Sequence, residues 1–152
     1  MRPSAPACDV LLVEDSFDDA FFMKKAREKL GMDVRLCHVE SIAKAKAFLS
    51  AEGDFQGREG LPVPSLIVSD LKMPNGDGIE LLRWVRSDPK FASIPFVVVS
   101  SSALENDVDS SYGAGANAYF VKPRTLPGFV NLLTELQPYW QNGDGKPLTR
   151  EV

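Results

Sequence analysis

Four short apolar runs in this chain each end in a residue able to do chemistry. Val10 to Val13 stops at Glu14-Asp15. "SLIVSD" stops at Asp70, and Met73-Pro74-Asn75-Gly76 turns the chain away directly afterwards. "IPFVVVSSS" stops at Ser100-Ser101-Ser102, and "NAYFVKP" stops at Lys122-Pro123. If the runs are neighbouring parallel strands, these groups meet beyond the carboxyl edge of one sheet, where ligands of open α/β sheets bind. Two carboxylates about 4 Å apart repel by roughly 4 kcal/mol at an effective dielectric of about 20. Glu14, Asp15 and Asp70 together therefore require positive charge. Lys122 offers one, and a divalent cation would supply the rest. With only oxygen donors at the edge, the ion is a hard one, Mg2+, with Mn2+ as a substitute. A carboxylate beside a metal, with a lysine and a hydroxyl opposite, is a layout for phosphoryl transfer. Asp70 is the nucleophile that would form an acyl phosphate, Lys122 would neutralise its oxygens, and Ser100 could hydrogen-bond one of them.

The elements that must position these groups are visible in the pattern. Ser16 is an N-cap for a helix from Phe17 to Leu30, and Gly31 is its natural terminator. Its apolar face is broad, so its rotation is not determined. A weaker strand pattern spans Val34 to Val39. Ser41 caps a second helix with Ile42, Ala45 and Leu49 along one face. Residues 51–64 are rich in glycine and proline and read as an exposed, mobile loop insertion. Asp77 with Glu80 three residues on forms a capping-box pattern, followed by Gly78, Leu81, Leu82 and Val85 at helical spacing. A shorter helix carries Leu104, Val108 and Tyr112. The last amphipathic helix carries Leu126, Phe129, Val130, Leu133 and Leu136. Five strand–helix pairs in alternation predict a parallel sheet with helices on both faces and right-handed crossovers.

Composition narrows the function further. The chain has 152 residues, a formal net charge of −4 and 25% charged residues. That length suits one domain, and the negative balance excludes a nucleic-acid binder relying on a basic surface. Two cysteines, Cys8 and Cys37, and one histidine, His38, exclude a structural zinc site or a disulfide scaffold. Two reduced thiols and a signal-free N-terminus imply a cytoplasmic protein. No apolar run approaches the roughly 20 residues of a membrane span, so no membrane partner is expected.

The pieces "LLVEDS", "LIVSDLKMPNGDG", "IPFVVVSSSA" and "GAGANAYFVKP", in this order over residues 9 to about 138, resemble the receiver domains of two-component response regulators. The resemblance is nearest to stand-alone bacterial regulators paired with phytochrome-type histidine kinases. It implies a flavodoxin-like (βα)5 fold with strand order 2-1-3-4-5. It makes Asp70 the phosphoacceptor and Asp15 a direct metal ligand, with Glu14 acting through water and the backbone carbonyl of Lys72 completing the shell. Ser100 becomes the switch hydroxyl, Tyr119 the switch aromatic and Lys122 the phosphate-pairing lysine, with a cis bond between Lys122 and Pro123. Glu14 stands where aspartate is more frequent and Ser100 where threonine is, while Lys72 and Ser102 occupy positions that tune phosphate lifetime.

The implied organisation is an N-terminal extension over 1–8, a receiver domain over 9–138 and a tail over 139–152. The implied function is to accept a phosphoryl group from a histidine kinase, then to signal through the surface of the fourth helix, fifth strand and fifth helix. With no output module, that surface would bind a protein partner or pass the phosphoryl group onward. A homodimer through it, or through Tyr139 and Trp140, is left open. The chain is read as a phosphoacceptor rather than an enzyme. Rival readings are a phosphorylation-independent pseudo-receiver, an aspartyl-nucleophile hydrolase and a flavodoxin-like cofactor binder. The hydrolase would need its nucleophile on the first strand. "VEDSFDD" is too acidic for a phosphate-binding loop.

Overall fold

The computed structural model describes residues 7–142. Five strands, β1 (Val10–Val13), β2 (Leu36–Val39), β3 (Leu66–Ser69), β4 (Phe96–Ser100) and β5 (Ala118–Val121), form one parallel sheet. Their order across the sheet is β2-β1-β3-β4-β5, as the family resemblance implies. The intervening helices are α1 (Phe17–Leu30), α2 (Ile42–Ser50), α3 (Gly78–Ser87), α4 (Glu105–Gly113) and α5 (Leu126–Asn142).

Every residue of β1, β3 and β4 is buried, which is why these strands read as unbroken apolar runs. Successive side chains point to opposite faces of the sheet and feed two cores. Leu11, Val13, Ile67, Phe96 and Val98 pack against α2 and α3 through Ile42, Phe48, Leu81 and Val85. Val10, Leu12, Leu66, Val68 and Val97 pack against α1 and α5 through Ala20, Met23, Phe129, Leu133 and Leu136. Each fully buried large side chain contributes about 1.5–3 kcal/mol, so the sheet is a stiff platform for whatever its carboxyl edge carries.

The helix ends follow their sequence signals. The Ser16 side chain accepts from the amide of Asp19, and Gly31 closes α1 in the left-handed region at φ 61°. Ser41 caps α2 through the amide of Lys44. Asp77 caps α3 by accepting from the amide of Ile79. Glu80, expected to complete a capping box, instead lies 3.7 Å from Lys46 Nζ.

Two stretches depart from the sequence reading. Residues Gly53–Arg58 form a 3-10 helix rather than an open loop, and Arg58 is buried within it. Phe55 supports the turn by packing edge-on against Phe48, with ring centroids 5.2 Å apart. α5 does not stop near residue 138 but runs through Pro138 to Asn142. An interior proline costs roughly 3 kcal/mol. Tyr139 is buried and Trp140 packs against the α1–α5 core, which offsets that cost. Tyr139 is thus a core residue of its own chain, not an exposed tail aromatic. Residues 143–152 and 1–6 of the expected tail and extension lie outside the described residues.

Candidate functional site

β1, β3 and β5 deliver the charged groups to one edge. The chain leaves β1 directly into Glu14 and Asp15, leaves β3 into Asp70, and leaves β5 into Lys122. Carboxylate oxygens of Glu14, Asp15 and Asp70 lie within 4.8 Å of one another. Lys122 Nζ sits 2.8 Å from Glu14 Oε1, 2.9 Å from Asp19 Oδ2 and 3.0 Å from Asp70 Oδ2. Asp70 Oδ1 accepts from the amide of Leu71 at 2.7 Å, which fixes the carboxylate plane. Glu14 Oε2 accepts from the amide of Ser16 at 3.1 Å. The sequence-predicted Glu14, Asp15, Asp70 and Lys122 are therefore brought together.

Charge balance decides what such a site can hold. Burial pushes the Glu14 carboxyl up to about 7, and the Asp70 charge adds to that push. Hydrogen bonds from Lys122 and Ser16 oppose it without cancelling it. At Lys122, burial works against the ammonium. Its contacts with Glu14, Asp19 and Asp70 outweigh that and hold its pKa above the usual lysine value. Three carboxylates on one ammonium, Glu14, Asp19 and Asp70, with Asp15 beside Glu14 and Asp70, leave the cluster short of positive charge. The donors are all oxygens, so the group that fits is a hard divalent cation.

Asp19 is the site residue that sequence reasoning missed. It reads as an acidic first-turn residue near a helix dipole, and its amide does bond the Ser16 cap. Only the rotation of α1 tells that its carboxylate faces Lys122. Gly78 is a second such position. A Cβ there would collide with the Asp70 carbonyl and approach Leu71 Cα within 3.1 Å. Its amide donates to Leu71 O at 2.6 Å. Glycine lets α3 begin against the backbone that carries Asp70.

The β4 side of the site is built of hydroxyls. Ser100 is buried, and its Oγ accepts from the amide of Ser102 at 3.1 Å. Ser102 Oγ donates to Asp107 Oδ2 at 2.5 Å, while Lys72 Nζ lies 3.6 Å from the same oxygen. Tyr119 is buried on the α4 side of the sheet, and its hydroxyl donates to Ser102 O at 2.7 Å. Ser100 and Tyr119 are thus joined through the Ser102 backbone. The Lys122 amide donates to Ser100 O at 2.7 Å, which ties the two strand ends together.

One expectation is corrected. The Lys122-Pro123 bond is trans, as are all peptide bonds among the described residues. Trans is the lower-energy form even before proline, by about 0.5–1 kcal/mol, and Lys122 Nζ reaches its three carboxylates with it.

A parallel (βα)5 sheet with a carboxylate cluster and a lysine at its carboxyl edge defines a class, and the sequence profile of the response regulator receiver domain matches residues 10–134. The chain belongs to that family. Among its relatives is response regulator Rcp1 of Synechocystis sp., 33% identical over 137 residues that cover 90% of this chain and 91% of Rcp1. The crystal structure of the Mn2+-bound form of Rcp1 matches with a TM-score of 0.76 and 32% identity, over 89% of this chain and 94% of that one. The phosphorylated cyanobacterial phytochrome response regulator RcpA matches with a TM-score of 0.78 and 29% identity, over 90% of this chain and 95% of that one. No helix among the described residues is long and apolar enough to cross a membrane.

Proposed function

We propose that this receiver domain accepts a phosphoryl group on Asp70 from a histidine kinase and signals by reshaping its α4–β5–α5 surface. The observation that carries the reading is the single ammonium of Lys122 bonded to Asp70, Glu14 and Asp19 beside a cluster of carboxylates. Asp70 is held at a strand end by the Leu71 amide and Lys122, so one carboxylate oxygen can meet an incoming phosphorus in line. That oxygen forms the new P–O bond, the P–N bond to the kinase imidazole breaks, and the imidazole keeps the electron pair. Lys122 stays beside Asp70 and neutralises charge on the transferred group.

Asp15, Asp70 and the Lys72 carbonyl would hold Mg2+, with Glu14 acting through a water and Mn2+ able to substitute. The bound ion supplies charge neutralisation for the phosphoryl oxygens. The Mn2+-bound form of Rcp1 supports a divalent ion, and the match to RcpA supports a phytochrome-type kinase as donor. For the output, the phosphoryl group adds roughly −1.5 to −2 charge and three acceptor oxygens. The Ser100 hydroxyl, now bonded to the Ser102 amide, would turn to the phosphoryl group, and Tyr119 would shift into the space vacated. α4 suits such a change because Ser111 is its single wholly buried residue. Leu104 and Val121 are exposed on the same side and suit a protein partner or a second copy.

The test is intact mass after incubation with acetyl phosphate and Mg2+. The proposal expects one added phosphoryl group on the wild-type chain and none on Asp70→Asn. No gain on either, with beryllium fluoride also failing to bind, would leave a pseudo-receiver.

A further inference from the structure

An ammonium carries three protons, and three carboxylates already surround that of Lys122, at 2.8, 2.9 and 3.0 Å. A phosphoryl group on Asp70 would bring roughly −1.5 to −2 charge and three acceptor oxygens to the same edge. Lys122 cannot turn to all of them without abandoning Glu14 or Asp19. The chain has a second ammonium within reach of that edge.

Lys72 stands two residues after Asp70, in the short antiparallel pair with Asp77 that precedes α3. Its side chain is 69% exposed, and its ion-pair partner among the described residues is Asp107 of α4, with Nζ 3.6 Å from Oδ2. A pair so exposed is held loosely. A cleft of about 250 Å3 lies between the two, lined also by Leu71, Arg83 and Ser110, and gives the lysine stem room to swing. Asp107 is the fixed member. Its carboxylate is 19% exposed, and the oxygen that faces Lys72 also accepts from Ser102 Oγ at 2.5 Å. The Ser102 hydroxyl in turn accepts from the amide of Leu104 at 3.2 Å. The Asp107 amide donates to Leu104 O at 3.0 Å, and its carbonyl accepts from Ser111 Oγ at 2.8 Å. The first turn of α4 therefore carries the carboxylate, and the mobile partner is the ammonium.

We propose that Asp107 is a positioning residue that withholds the Lys72 ammonium until Asp70 is phosphorylated, when Lys72 passes to the phosphoryl oxygens. The inference rests on Asp70 as the acceptor. No covalent bond changes in this step; one ion pair replaces another, and the more highly charged anion takes the cation. The exchange links α4 to the acceptor by charge, separately from the Ser100 hydroxyl. It also runs in reverse: a partner that draws α4 away from Lys72 frees the ammonium and tightens the hold on the phosphoryl group.

The experiment titrates the full chain with beryllium fluoride, a phosphoryl mimic, in the presence of Mg2+, and reads affinity from amide chemical shifts. Asp107→Asn removes the charge and keeps an acceptor for Ser102. It should bind roughly threefold more tightly than wild type, the scale of one exposed ion pair. Lys72→Gln keeps the backbone carbonyl and should bind roughly threefold more weakly, while Lys72→Arg should hold the wild-type affinity. In the Lys72→Gln background, Asp107→Asn should have no effect. The same tightening in both backgrounds would mean that Asp107 acts through packing or overall charge, and would overturn the proposal. So would wild-type binding that Asp107→Asn leaves unaltered. Failure of the wild-type chain to bind at all would remove Asp70 as the acceptor, and this proposal with it.

Discussion

The two sides of the sheet's carboxyl edge are built from different materials. On the β1–β3–β5 side, charges are locked together: Lys122 Nζ lies within 3.0 Å of Glu14, Asp19 and Asp70, and the strands beneath are buried throughout β1 and β3. On the β4–α4 side, Ser100, Ser102 and Tyr119 are joined by neutral hydrogen bonds. The helix they lead into starts at Leu104 with no side-chain cap and with Leu104 itself 65% exposed. α1, by contrast, is closed at both ends by Ser16 and Gly31. The contrast separates two jobs. In the proposed function, groups that meet a phosphorus atom in line are mounted on buried strands, and groups that report its arrival are mounted where rearrangement costs little.

The contrast can be broken most forcefully at Lys122. Lys122→Met leaves buried carboxylates facing one another, and removing one partner of a buried ion pair costs about 3–5 kcal/mol. Urea unfolding should show a loss of that order without divalent cation, partly recovered when Mg2+ is added. An unchanged midpoint would mean that the carboxylates are not held against one another as described. Gly78→Ala should come next. The new methyl meets the Asp70 carbonyl and must shift either α3 or the Asp70 backbone, at about 1–3 kcal/mol. Phosphoryl acceptance should slow along with the loss of stability, because the displaced atoms carry Asp70, the proposed acceptor. The smallest effect is expected on the soft side. Tyr119→Phe removes one hydrogen bond to Ser102 O, worth about 1 kcal/mol. It should speed amide exchange in residues 100–113 while leaving acceptance from acetyl phosphate at its wild-type rate.

The same division explains what could be read from the residues alone. Strand-end carboxylates were legible because each follows an apolar run whose burial both sheet faces demand, and Lys122 was legible because it ends the apolar run of the edge strand β5. The α1 boundaries were legible because Ser16 and Gly31 carry local signals. Asp19 was not, since its role depends on the rotation of α1 about its axis, and Phe17, Phe21 and Phe22 blur the apolar face that would reveal it. Phe17 and Phe21 are in fact exposed, and Phe22 stacks on Phe129. Arg58 was hidden because charge and neighbouring glycines both point to solvent, while the observed guanidinium lies on an aromatic ring. The passage of α5 through Pro138 was hidden because a local penalty was outweighed by the distant packing of Tyr139. Arg86 is similar. It reads as a last-turn cation of α3, yet it donates to Ala92 O, Ile94 O, Gly115 O and Asn117 Oδ1 and pins the starts of β4 and β5.

The claim at the centre is that a phosphoryl group received beside Lys122 is read out across the site, at β4 and α4. Hydrogen exchange of the chain before and after phosphorylation tests it most directly. The account predicts altered protection in residues 100–121, with β1 and β3 unchanged and with the alteration lost in Ser100→Ala. Equal change across the whole sheet, or the full change persisting in Ser100→Ala, would contradict it.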